Sequence, residues 1–143
     1  MKNERRSAHR TQWAAQFAVA SELCKRDYQV ALTLGNRPMV DLMVISPQGQ
    51  AFVIDVKGLY QRAFWGARKQ RPRDDLYYIF AYVPDVGSNR FFILPQTKVN
   101  AGIELYRKQA IDRRRTPENA AKFPGVTWNY VEPYENNWEV LPK

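Results

Sequence analysis

The sequence predicts an α/β (α+β) domain with a central mixed sheet of about five strands flanked by helices. Three observations predict it. The hydrophobic pattern runs helix, three strands, irregular loop, two strands, helix, and hairpins set between helices make a layered, largely antiparallel sheet with helical cover. The chain has 143 residues, enough for one domain with a real core and too few for two ordinary ones. A hydrophobic content of 45%, with 13% aromatics, belongs to a folded globule rather than a disordered chain.

Each element has its own signal. From Ser7 to Arg26, residues Trp13, Gln16, Phe17, Ala20, Leu23 and Cys24 recur at three- and four-residue spacing, the stripe of an amphipathic helix. Gln16 falls inside that stripe, whereas Glu22 lies about 120° from it and faces solvent. Tyr28 to Leu34 alternates as a strand and ends in the turn pair Gly35-Asn36. Two more strands, Val40 to Ile45 and Ala51 to Val56, flank a Pro-Gln-Gly-Gln turn. Leu76 to Val83 is an apolar, aromatic strand, and after a turn over Pro84 to Asn89 the segment Arg90 to Leu94 pairs back. Gln96 to Arg115 reads as the second long helix, and Thr116 to Gly125, with two prolines, as a linker. Val126 to Tyr130 reads as a short strand before an aromatic tail.

Composition narrows the chemistry. A formal charge of +8 points to a polyanionic partner. One cysteine, Cys24, excludes an internal disulfide framework and suits a reducing compartment. The N-terminus has no apolar signal region and no segment reaches membrane-spanning length, so a soluble, cytoplasmic protein is expected. The single histidine, His9, excludes a two-histidine ribonuclease, and with one cysteine it cannot build a zinc site. No Gly-rich phosphate loop is present. Carboxylates, lysine and a hard metal ion remain.

Those groups converge in one hairpin. Asp41 opens its first strand, and Asp55 and Lys57 sit two apart near the end of its second, hence on one face. Charges at the ends of buried strands are costly to desolvate, which marks the position as functional. Asp41 and Asp55, with the peptide carbonyl of Val56, offer oxygen ligands for Mg²⁺ or Mn²⁺. Lys57 is placed to orient or deprotonate a water, or to stabilise transition-state charge.

Asp41, thirteen intervening residues and then Asp55-Val56-Lys57 resembles the PD-(D/E)xK nuclease superfamily, in its restriction-endonuclease-like and Holliday-junction-resolvase-like branch. The resemblance covers about residues 8–95 and implies a restriction-endonuclease-like core over about 8–115, with 116–143 as an extension. It implies Mg²⁺ on Asp41 and Asp55, water activation by Lys57, and a first-helix site position that maps to Gln16. Two departures stand out. Gln16 occupies a place where glutamate is usual, and Pro38 precedes Asp41 by three residues instead of one.

Between Lys57 and the next strand, Arg62, Arg68, Lys69, Arg71 and Arg73 alternate with Tyr60, Phe64 and Trp65. Cations neutralise phosphates and exposed rings stack on bases, so Arg62, Trp65, Arg68, Lys69, Arg71 and Arg73 are the expected nucleic-acid contacts. A second cluster, Arg107, Lys108, Arg113, Arg114 and Arg115, ends the last helix. The expected activity is Mg²⁺-dependent DNA endonucleolysis, with RNA as the competing polyanion. The alternative is an inactive nucleic-acid- or protein-binding module on the same fold. Strand 76–83 and Trp128, Tyr130, Tyr134 and Trp138 of the tail offer apolar surface for a homodimer.

Overall fold

Helix α1 spans Ala8–Lys25, and the Ser7 side chain caps it by accepting from the Arg10 N–H. The computed structural model describes residues 6–35, 40–113 and 116–143. Asn36, Pro38, Arg114 and Arg115 lie outside the described residues. Strands β1 (Gln29–Leu32), β2 (Leu42–Ile45), β3 (Ala51–Leu59), β5 (Leu76–Tyr82) and β6 (Arg90–Pro95) form one sheet in the order β1-β2-β3-β5-β6. The β3–β5 pair is parallel and the other three are antiparallel, so the sheet is mixed. Strand β3 is the pivot, and it runs three residues beyond the expected end at Val56.

Alternation along β3 separates two cores. Phe52, Ile54 and Val56 face α1 and join Ala15, Val19, Leu23, Leu42 and Ile79. Val53 faces the opposite layer, which contains Tyr78, Phe80, Trp65 and, from helix α2 (Gln96–Asp112), Val99 and Ile103. By the same alternation Asp55 and Lys57 belong to this second face.

The α1 stripe differs from expectation. Its buried residues are Thr11, Ala15, Gln16, Val19 and Leu23, whereas Phe17 and Cys24 are exposed. Trp13 and Phe17 stack on each other outside, with ring centroids 5.5 Å apart. Close approach decides the face. A Cβ placed on Gly58 of β3 would meet the Ala15 Cβ at 2.7 Å and the Thr11 carbonyl oxygen at 3.2 Å, so the helix docks by its small residues. Gly58→Ala is therefore expected to cost about 1–3 kcal/mol by overpacking, seen as a lower urea midpoint. An unchanged midpoint would show that this contact is slack.

The segment after α2 is also more ordered than expected. Residues 116–125 are not a bare linker: Pro117–Lys122 form helix α3, capped by the Thr116 side chain, which accepts from the Asn119 N–H. Gly125–Val126 form β7, which pairs antiparallel with β4 (Trp65–Gly66). The strand expected over Val126 to Tyr130 is present only at Val126, because Thr127 caps a helical turn, α4, over Trp128–Val131. The tail then folds back over β6, with Arg90 bridging Glu132 and Glu135 at 3.1 and 2.8 Å. Tyr78, Phe80, Trp128 and Trp138 are buried in this packing, so these residues of the aromatic strand and tail are core and offer no self-association surface. No described helix is long and apolar enough to cross a membrane.

Candidate metal and nucleic-acid cleft

The site arises where β2 parts from β3. Their last backbone rung is the Asp41 N–H donating to the Ile54 carbonyl at 3.0 Å. Beyond it, Val56 presents its N–H and carbonyl to a side that β2 has left, and buried backbone groups need partners. Two side chains supply them. Asp41 Oδ2 accepts from the Val56 N–H at 2.7 Å, and Gln12 Nε2 donates to the Val56 carbonyl at 2.7 Å. The other Asp41 oxygen, Oδ1, accepts from Gln16 Nε2 at 3.2 Å.

Asp55 stands beside this junction, with a side chain only 3% exposed. Lys57 Nζ lies 3.1 Å from Asp55 Oδ1, an ion-pair contact without hydrogen-bond alignment. Burial pushes the Asp55 carboxyl up to about 6, with Lys57 opposing and Asp41 adding to the rise. Burial also raises Asp41, against the Val56 N–H and the Lys57 charge. Tyr78, the partner of Asp55 in the β3–β5 register, is pushed up to about 12 by burial and by Asp55. The site thus gathers negative charge in a poorly solvated place.

Asp41, Asp55, Val56 and Lys57 line one cleft of about 630 Å³, together with Gln12, Tyr78, Arg68 and the Lys122-Phe123-Pro124 segment. The structure therefore brings together the three charged residues and the carbonyl that the hairpin pattern selected. Gln16 supports Asp41 from the buried side, and the α1 residue lining the cleft is Gln12, one turn earlier. Its signal in the sequence is the i−4 spacing from Gln16.

These residues fit a hard divalent cation. The donors are all oxygens, and Asp55 Oδ1 is buried with no hydrogen bond, its one close partner being the Lys57 ammonium. Among the described residues no group of three or more His, Cys, Asp or Glu side chains gathers, so the charge for a cation comes from two carboxylates. The Val56 carbonyl already serves Gln12, which leaves one lone pair free.

The basic loop divides. Arg68 is exposed and lines the cleft. Trp65 does not serve as a base-stacking ring: it is 1% exposed, wedged among Phe80, Phe92 and Trp128, because the β4–β7 pair draws it inward. Arg62 lies over the Trp128 ring at 4.6 Å and pairs with Glu132 at 3.4 Å. Lys69 pairs with Glu104 at 3.8 Å, and Arg73 makes two bonds to Asp75 at 3.0 and 2.9 Å. Arg73 and Asp75 border a separate groove over β1 and β2, away from the Asp55 cleft. Arg71 is exposed, with its backbone held from α2.

Two buried amides of α2, which sequence reasoning missed, fix this loop. Gln96 accepts from the Arg73 N–H at 2.6 Å and donates to the Arg71 carbonyl at 3.0 Å. Asn100 accepts from the Gln70 N–H at 3.3 Å and donates to the Gln70 carbonyl at 2.9 Å. Each mimics a strand partner, so the loop has a set path beside the cleft. In the second cluster, Arg107 pairs with Glu104 at 3.5 Å and Lys108 is exposed. Comparison of the chain with family models, with curated proteins and with solved structures gave no match.

Proposed function

We propose that the chain is a Mg²⁺- or Mn²⁺-dependent endonuclease that hydrolyses DNA phosphodiester bonds, with a PD-(D/E)xK-type site on a restriction-endonuclease-like core. The observation that carries this reading is the meeting of Asp41, Asp55 and Lys57 in one cleft at the β2–β3 divergence. Asp41, Asp55 and the Val56 carbonyl would hold the ion, which when bound supplies charge neutralisation at phosphate and a more acidic water. Lys57, half-exposed beside Asp55, holds or takes a proton from the attacking water. Gln12 and Gln16 keep Val56 and Asp41 in place, and Arg68 and Lys122 meet phosphate charge at the rim.

The test is cleavage of supercoiled plasmid and short oligonucleotides by the purified chain. Nicking with Mg²⁺ or Mn²⁺, stopped by EDTA, is expected. Intact DNA of every form with both metals sinks the reading. A second reading, an inactive binding module, is favoured by the neutral amides of Gln12 and Gln16 where a third carboxylate would strengthen a metal site. Metal-independent DNA binding with a steep salt dependence and no cleavage would select it. Faster cleavage of RNA than DNA would move the substrate to RNA.

A further inference from the structure

One wall of the cleft is formed by Lys122, Phe123 and Pro124, between α3 and β7. Phe123 is 70% exposed, and of the exposed large apolar side chains among the described residues it is the one that lines this cleft. It stacks on no other described ring, and the Lys122 ammonium sits 5.6 Å from its centroid. The backbone beneath it is fixed. The Ala67 N–H donates to the Pro124 carbonyl at 3.1 Å, and Gly125 packs where a Cβ would meet the Trp65 carbonyl oxygen at 2.0 Å. An open aromatic face is thus held at the C-cap of α3, two residues before β7, in the same cleft as Asp55, which Lys57, Arg68 and Lys122 also line.

We propose that Phe123 and Lys122 seat an unpaired nucleotide beside the phosphate handled at Asp55, so that the substrate class is single-stranded DNA or a locally opened strand. This rests on the nuclease reading above. A base in a duplex is stacked on both faces and offers no free face to a ring, whereas an unpaired base does. A cleft of about 630 Å³ also falls in the range of roughly 300–1,000 Å³ that holds a small organic ligand, the scale of a single nucleotide. Lys122 supplies the phosphate contact that keeps the stacked base next to the ring.

The experiment is fluorescence anisotropy of a labelled oligo(dT) and of the same strand paired with oligo(dA), in EDTA, with cleavage of both measured separately in Mg²⁺. Phe123→Ala is expected to weaken single-strand binding about tenfold and leave duplex binding unchanged, with Phe123→Trp restoring it. Lys122→Ala should weaken binding less and flatten its salt dependence. Equal loss on both DNA forms, or no loss on the single strand, overturns the proposal while the nuclease reading stands. Phe123-dependent single-strand binding without any cleavage keeps the seat and removes the hydrolytic reading. Failure of the unsubstituted chain to bind either form overturns the seat, and absence of cleavage in Mg²⁺ as well overturns both.

Discussion

Asp55→Asn is expected to abolish metal-dependent cleavage while making the metal-free protein more stable above neutral pH. Metal polarisation at a phosphate is worth several kcal/mol, so losing a charged ligand should cost about 10³-fold or more in rate, at about 1.4 kcal/mol per tenfold. The stability gain follows from burial. The folded carboxyl sits at about 6 against an ordinary value of 3.8. A raised folded value means that the stability Asp55 contributes is full below about 3.8 and is lost as pH rises through about 6. Above that, the ionised group costs the fold about 3 kcal/mol, a penalty that neutral asparagine does not carry. In EDTA the Tm curves of the two proteins should meet below about pH 4, separate between about pH 4 and 6, and stay apart above that by on the order of 5–10 °C. Mg²⁺ at about 100 times its Kd should restore about 2.7 kcal/mol to the parent and nothing to the variant. A variant that is less stable than the parent at pH 8 in EDTA would show that Asp55 is a structural ion-pair partner of Lys57.

This trade of stability for charge was legible in the hairpin because strand periodicity is strict. Once DLMVI and AFVIDVK are paired strands, Asp55 and Lys57 must share a face, and Asp41 must stand at the mouth of the hairpin. The helical partner was less legible. Trp13 and Phe17 are more apolar than Thr11 and Ala15, so hydrophobicity favours the wrong stripe. The packing at Gly58 selects small side chains instead, and that contact lies far along the chain. Rotation of the helix by that choice puts Gln12 at the cleft and Gln16 behind Asp41.

Trp65 misleads for the same reason. It reads as an aromatic in a basic loop, and its burial depends on pairing with Val126 of β7, a long-range contact that no local pattern announces. Helix α3, by contrast, carried a usable signal: Thr116 followed by Pro117 and Glu118 is a cap, a first-turn proline and a first-turn acid. The two prolines of that segment suggest a linker only if their positions in the turn are ignored.

Lys57→Met separates catalysis from metal binding. The side chain is 34% exposed and its ammonium is 3.1 Å from Asp55 Oδ1, so it is close enough to the carboxylate to share its water and open enough to reach a substrate. A group that moves or holds a proton in the transition state contributes about 10²–10⁴-fold, and kcat should fall by that much in the variant. Metal binding should survive, because the oxygen donors remain, and Mg²⁺ should still raise the Tm. The pH dependence should move as well. Lys57 lowers the Asp55 carboxyl, so its loss lets burial raise that carboxyl further. The sign follows: in the metal-free variant the Asp55-derived loss begins at the same pH as in the parent, continues to higher pH and ends larger, because only the folded carboxyl has moved up. The acid limb of any residual activity should shift upward in parallel, since the ionised carboxylate is the form that holds a cation. Titration calorimetry with Mn²⁺ and a pH–rate profile decide the matter together. If the variant loses its Tm response to metal along with its activity, Lys57 acts by holding Asp55 in position and not on the water. If it keeps full activity, the pair only neutralises the buried Asp55 and the water is activated elsewhere in the cleft.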